Sequence, residues 1–568
     1  MNKTQSSRQF YIVYYLLLLL AAGCGKGSGT TTPPPPPPPA ATPFNVNSKT
    51  INTVAFNGTQ TLYSINNNPV ITIRFSDKVN RATVASAISF TQKSSAALVP
   101  YSASYQNNDS TLIISPNSSL AYLTEYIFSL NTLLQSVPGT AISGRIDLNF
   151  ITQLDSSRKF PAISDNALLD LVQQQTFKYF WDFGHPVSGL ARERNTSGDI
   201  VASGGSGFGI MAIPVGINRN FITRAQGLAR MQTIVAFLKN TAVKVKGAFP
   251  HWLNGVTGAI VPFSTNDNGA DLVETSYLMM GLLTARQYFN GADAAETNLR
   301  ADINTLYNNV EWDWFRNGGQ NVLYWHYSND KGWIMNLPIR GWNECLITYI
   351  MAASSTTHGV PATVYTSGWK GGTNFINGNT YFGYQLPLGP ASGGPLFLSH
   401  YSFLGVNPNG LTESSVNYTT QTKNHTLINY NYCKANPRSY FGYSDSVWGL
   451  TASDIQNGYT ASSPTNDVSV IAPTAALSSF PYTPAESMAA LKFFYYVLGD
   501  KIFKEYGFVD AFSLHNLWFA ISTLAIDQGP IIIMLENYRT GLLWNLFTSC
   551  PEVKNGMKNV LGFSAPYL

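Results

Sequence analysis

Charge is scarce in this chain of 568 residues: 35 Lys/Arg and 31 Asp/Glu make up 12% of it, scattered without a long run of either sign. A net charge of +4 spread in this way leaves no electrostatic footprint for nucleic acid, and that class of partner is excluded. Cysteine is scarcer still, with four residues, and the first of them, Cys24, falls in a leader. The other three, Cys345, Cys433 and Cys550, are an odd number that permits at most one disulfide, so disulfides are not the framework of the fold. The histidines, at 185, 251, 326, 358, 400, 425 and 515, show no metal-ligand spacing such as H-E-x-x-H, and neither metal nor cofactor is expected. The run Gly204-Gly205-Ser206-Gly207-Phe208-Gly209 lacks both the P-loop Lys-Ser/Thr and the G-x-S-x-G hydrolase spacing, and reads as a tight loop lining a cleft.

What replaces charge is aromatic and neutral polar surface. Aromatics are 13% of the chain, accompanied by Asn, Ser, Thr and Gly, a composition that suits an exported protein binding neutral ligands. Export is written at the N-terminus: Lys3 and Arg8 precede the apolar stretch Tyr11–Ala22, which at twelve residues is too short for the roughly 20 that span a bilayer. The stretch ends in Leu20-Ala21-Ala22-Gly23-Cys24, which resembles a bacterial lipoprotein box with Ala21 where Leu is usual. Residues 1–23 are expected to be the signal peptide and Cys24 the lipidated residue; an ordinary signal peptide with a chance cysteine is the alternative. This places the protein in the cell envelope, facing the periplasm or the cell surface.

Residues 24–43 carry seven consecutive prolines, Pro33–Pro39, and form a stiff tether to the membrane. From 44 to 153, alternating runs such as Val70-Ile71-Thr72-Ile73-Arg74-Phe75 and Thr111-Leu112-Ile113-Ile114 are punctuated by turns such as Asn107-Asn108-Asp109, predicting a β-sandwich. The segment Asn68–Val79 resembles a bacterial Ig-like domain, and no catalytic constellation appears in it. From 160 to 568 the period becomes helical, with predicted helices over 165–181, 225–238 and 487–497 joined by long loops rich in Gly, Asn, Pro and aromatics. This pattern fits an all-α toroid of two concentric helical rings better than a bundle.

Glycosidases generally need two carboxyl groups, one protonated to release the leaving oxygen and one ionised to act as base or nucleophile. Asp267, Asp271 and Glu274 cluster at a predicted helix start, where Asp271 and Glu274 share a face; the same spacing is a capping box preceded by a turn. Glu344, in Arg340-Gly341-Trp342-Asn343-Glu344-Cys345, precedes the apolar run Leu346–Ile350. Burial there would hold its proton ready for donation, unless Arg340 pairs with it structurally. Cys345 beside it reads as a buried structural thiol. Trp312, Trp314, Trp325, Trp333 and Trp342 crowd into thirty residues, and flat apolar faces of this kind suit pyranose rings as well as they suit a core; their loop-like surroundings favour a cleft.

Long strings over 165–563 resemble the glycoamylase-like domain of glycoside hydrolase family 144, the bacterial β-1,2-glucanases. They are His185–Arg194, Gly204–Ile213, Ala248–Gly255, Gly269–Thr275, Ile339–Glu344, Gly394–Phe397, Trp448–Asp454 and Ala525–Pro530. The resemblance implies an (α/α)6 toroid and inverting hydrolysis of β-1,2-glucan without cofactor; endo action and a monomer are the expectations beside it. An exo-acting enzyme releasing a disaccharide and a non-catalytic glycan-binding protein are the competing readings. It also implies cleft carboxylates at Asp267, Asp271, Glu274 and Glu344, with Glu344 as general acid and Asp271 and Glu274 as base or water-positioning groups. Asp267, Arg192, Glu193, His251, Trp252, Trp325, His326 and Trp342 become candidate substrate-binding residues, and Asp454 and Asp527 alternative catalytic partners.

Overall fold

The computed structural model describes residues 42–414 and 416–568; Cys24, the leader and nearly all of the tether lie outside the described residues. The first unit is a pair of sheets. Strands β1 (Val46–Ile51), β2 (Val54–Ala55), β4 (Ile71–Phe75), β6 (Tyr101–Gln106) and β7 (Thr111–Pro116) form one, in the order β2-β1-β4-β7-β6. Strands β3 (Thr61–Ile65), β5 (Ile88–Gln92), β8 (Glu125–Leu130) and β9 (Ile146–Thr152) form the other, in the order β3-β9-β8-β5, with β3 and β9 parallel. The period-two pattern does its expected work: in β4, Ile71, Ile73 and Phe75 are buried while Arg74 faces out. They meet Phe90, Phe128, Leu148 and Phe150 of the other sheet in a closed apolar core. The β6–β7 turn places Asn107, Asn108 and Asp109 at φ of 53°, 54° and 62°, a left-handed run that Asn and Asp tolerate better than other side chains.

The longer helices of the second unit are α1 (Asp165–Trp181), α2 (Ser203–Asn218), α3 (Arg224–Asn240), α4 (Leu272–Tyr288), α5 (Ala294–Asn308), α6 (Leu346–Ser354), α7 (Tyr418–Ala435), α8 (Pro484–Tyr496) and α9 (Ala525–Thr540). Their starts are chemically marked. The Ser164 hydroxyl accepts from the Ala167 N–H at α1, and Thr223 with Gln226 forms a complete capping box at α3. Helix α2 packs along α4 and α9, α9 against α1, and α6 against α4.

The glycine-rich run 204–209 is not a loop. It forms the first turns of α2 and is fully buried. Glycine is a poor helix former, costing about 1 kcal/mol per residue against alanine, but here the absence of side chains lets two helices touch. A Cβ on Gly207 would overlap the Tyr277 carbonyl of α4, and a Cβ on Gly281 of α4 would overlap the Gly207 carbonyl.

The two units are in contact. Tyr63 of β3 stacks on His515 at 4.7 Å and on Phe441 at 5.4 Å, and its hydroxyl lies 3.2 Å from His515 Nε2. Leu123 and Leu154 pack against the helical unit's second apolar cluster. Cys345, Cys433 and Cys550 are buried thiols, and no disulfide forms among the described residues.

Candidate active site

The site is assembled where short strands deliver the chain to helix starts. Strands β10 (Ile200–Ala202), β11 (Trp252–Asn254) and β12 (Ile260–Val261) form a small sheet; β13 (Ala270–Asp271) pairs with β14 (His326–Tyr327), setting Asp271 opposite His326. Asp271 is the N-cap of α4. Its Oδ1 accepts from the Val273 and Glu274 N–H groups at 2.9 Å each, so capping chemistry is present. Its Oδ2 meanwhile lies 3.1 Å from His251 Nδ1 and 3.4 Å from His326 Nε2, and His326 Nε2 also lies 3.2 Å from Asp267 Oδ2. The capping box is not completed. Glu274 turns instead to α2, where its Oε2 accepts from the Gly204 N–H at 2.6 Å, and its Oε1 lies 4.0 Å from His251 Nε2.

This geometry sorts the acids. Burial works against the charge of Asp271, yet the hydrogen bonds from His251 and His326 hold its carboxyl below the usual range. Burial alone would lower the imidazoles; the facing carboxylates, Glu274 foremost for His251 and Asp267 for His326, raise both to about 9. Glu274 is raised, chiefly by burial, with His251 opposing. Glu344, at the turn before α6, is pushed up to about 7 by burial, opposed by its own backbone N–H and helped by the charges of Asp271 and Glu274. No ion pair to Arg340 forms among the described residues; the backbone around Glu344 is pinned by the Ser402 hydroxyl, which donates to the Glu344 carbonyl at 2.6 Å.

Glu274 and Glu344 open into one cavity of about 480 Å³, a size in the range that holds small ligands. Glu193, Arg194, His251, Trp252, Phe263, Tyr277, Trp325, Tyr401 and Tyr459 also line it. Phe263 stacks on His251 at 4.3 Å and stands edge-on to Trp252 at 4.9 Å; Phe263 and Tyr459 are each half exposed at the mouth. A larger groove of about 600 Å³ elsewhere, with Asp165 and Arg539 in its wall, contains none of these groups.

On another side of the cavity, Arg194 joins Glu193 at 2.9 Å to Asp454 at 3.1 Å. The Asp454 N–H donates to Asp510 at 2.6 Å. Burial pushes Asp510 up to about 7, against that N–H and with the charge of Asp454, and raises Asp527 further beside Asp510. Half-buried Asp454 and buried Asp510 and Asp527 thus form a second acidic group behind Arg194.

Two predicted ligand residues are elsewhere. Arg192 donates to the Gly198 and Phe183 carbonyls and lies over the Phe183 ring, away from the cavity; Arg194, two residues on, lines the cavity instead. Trp342 is 3% exposed, packed among Trp369, Phe403 and Tyr418, and belongs to the core, as does Trp312. Trp314 and Trp333 stack on each other at 4.8 Å in a partly buried aromatic cluster, which leaves Trp325 as the tryptophan of the five on the cavity wall. Asp267 and His326 are buried behind Asp271. Tyr277, Tyr401, Phe263 and Tyr459 were not singled out in the sequence; Tyr277 alone carried a local signal, lying three residues beyond Glu274 on the same helix face. His251, Asp267 and Asp271 bring one nitrogen and two carboxylate oxygens within 4.8 Å, donor types a cation could use, although the imidazoles already bond to those oxygens.

The glycoamylase family model matches residues 336–551 and the bacterial Ig-like domain model residues 37–152. The chain is 43% identical over 444 residues to an exo-β-1,2-glucooligosaccharide sophorohydrolase (non-reducing end) of Parabacteroides distasonis, covering 74% of this chain and 61% of that protein. It thus spans about three-fifths of the length of that curated relative. Among solved structures it resembles the endo-β-1,2-glucanase of Chitinophaga pinensis, determined with sophorotriose and glucose, at 50% identity and a TM-score of 0.69 over 72% of this chain and all of that one. A β-1,2-glucanase structure from Parabacteroides distasonis shares 35% identity and a TM-score of 0.69 over 91% of this chain and 73% of that one.

Proposed function

Because this chain belongs to glycoside hydrolase family 144, the glycoamylase-domain family of β-1,2-glucanases, we propose that it hydrolyses β-1,2-glucan, endo-acting and with inversion. The observation that carries the reading is the pairing, in one aromatic-walled cavity, of Glu344, pushed up to about 7 by burial, with Glu274. Glu344 protonates the leaving glycosidic oxygen. Glu274 is the better base of the α4 pair, because both oxygens of Asp271 are occupied by the α4 cap and the two imidazoles. Asp271, with Asp267 and His326 behind it, orients His251. Asp454 and Asp527, behind Arg194, are the alternative catalytic partners, and Glu193, Trp252 and Trp325 bind the glucan.

In this reading the helices close into an (α/α)6 toroid over 160–568, the Ig-like unit of 44–153 is a spacer, and the monomer is held in the cell envelope by lipid on Cys24. A second reading, exo release of a disaccharide, is favoured by the identity to the sophorohydrolase.

Incubation with linear β-1,2-glucan tests the proposal, products being followed by size and anomeric configuration. Mixed oligosaccharides of inverted configuration are expected; a single disaccharide would select the exo reading, and no product would leave a binding protein. Glu344→Gln should lower turnover by roughly a hundredfold or more with folding intact, and near-normal turnover would remove Glu344 from the acid role.

A further inference from the structure

Buried phenols in the helical unit are paired with few exceptions. The hydroxyls of Tyr179, Tyr307, Tyr349 and Tyr482 each donate to a backbone carbonyl at 2.8–2.9 Å. Tyr277 is different. It is 2% exposed, its hydroxyl has no partner among the described residues, and its ring lies in the cavity wall. A buried hydroxyl left unmet is costly, and one in a cavity wall is placed to be met by what enters the cavity. The ring cannot swing to find a partner: Phe208 holds it at 5.4 Å and Tyr401 stands edge-on at 5.7 Å. Its position on α4, one turn beyond Glu274, puts it on the face that carries the proposed base, and Glu344 is the charged group it feels most strongly. Burial keeps the phenol protonated, hence a donor.

We propose that Tyr277 is a substrate-positioning residue whose hydroxyl donates a hydrogen bond to a ring hydroxyl of the sugar unit adjoining the scissile bond, holding that unit between Glu274 and Glu344. The inference rests on the glucanase reading and deepens it. The bond forms only with sugar in place, so the Tyr277 hydroxyl contributes to occupied states and adds nothing to the stability of the empty protein, to which the packed ring alone contributes.

The test is Tyr277→Phe in the full chain, which keeps the ring and removes one oxygen, compared with wild type and with Tyr307→Phe, whose hydroxyl is paired with the Met351 carbonyl far from the cavity. On linear β-1,2-glucan, Tyr277→Phe should lose on the order of tenfold or more in kcat/KM while its melting temperature stays equal to or above that of wild type. Tyr307→Phe should do the reverse, melting lower with unchanged kinetics. Wild-type kcat/KM in Tyr277→Phe would overturn the inference while leaving the glucanase reading intact. So would a loss of activity accompanied by a melting temperature lowered as in Tyr307→Phe. A wild-type protein inert on the glucan would overturn both.

Discussion

Single residues here hold two offices at once, and local sequence presents those offices as rivals. Asp271 looked like either a helix cap or a catalytic carboxylate; one oxygen caps α4 and the other faces two imidazoles. The grouping of Asp267, Asp271 and Glu274 was legible because they sit in and just before one helix turn, where Asp271 and Glu274 share a face. Their division of labour was not, since it depends on His326 arriving from a strand more than fifty residues later. Trp342 was misread for a related reason: an indole fits a cleft and a core equally well, and only the packing of Trp369, Phe403 and Tyr418 around it decides. Two pH effects follow at this scale. As the proposed general acid, Glu344 would have to be protonated to act, so activity should fall as pH rises through about 7, and a pH profile of kcat/KM checks it. His251 and His326 are raised to about 9, above the ordinary value of 6.5, so their stabilising contribution is whole below about 6.5 and is lost as pH climbs through 9. Melting temperatures measured from pH 6 to 10 should decline in that window, and His326→Gln should flatten the decline.

Among the elements, those governed by period were legible. Helix α1 spans the residues its apolar spacing predicts, Asp165–Trp181, α3 extends one or two residues beyond the predicted 225–238, and α8 starts three residues before the predicted 487–497 and ends one short of it. Strand β4 follows its alternation. Helix α2 was illegible because its first turns violate propensity in order to satisfy packing, and propensity is all that a local reading sees. The crossing of α2 with α4 is therefore intolerant of even one carbon. Gly207→Ala gains about 1 kcal/mol of helix propensity but drives a methyl into the Tyr277 backbone, a clash costing about 3 kcal/mol or more. Denaturant melts should show net destabilisation, and turnover should fall with it, since α4 carries both Glu274 and Asp271.

For the molecule as a whole, the change from alternating to helical pattern near residue 155 marked the passage from sandwich to helices, but nothing in either pattern announced that the two units would touch. The contact is aromatic and specific, with Tyr63 laid between His515 and Phe441. Tyr63→Ala should loosen it by roughly 1–2 kcal/mol, seen as two separated calorimetric transitions where wild type shows coupled ones; unchanged melting would mean that Leu123 and Leu154 suffice.

The cavity wall has a further consequence, one of biosynthetic order. Glu193 near one end of the helical unit and Leu524 and Ile526 near the other face the same space, and Arg194 pairs across 260 residues with Asp454. A chain still being made has only part of this wall until its last helices arrive. The enzyme is thus born incompetent, and recovery of turnover during refolding should report the latest long-range closure and not the average formation of helix.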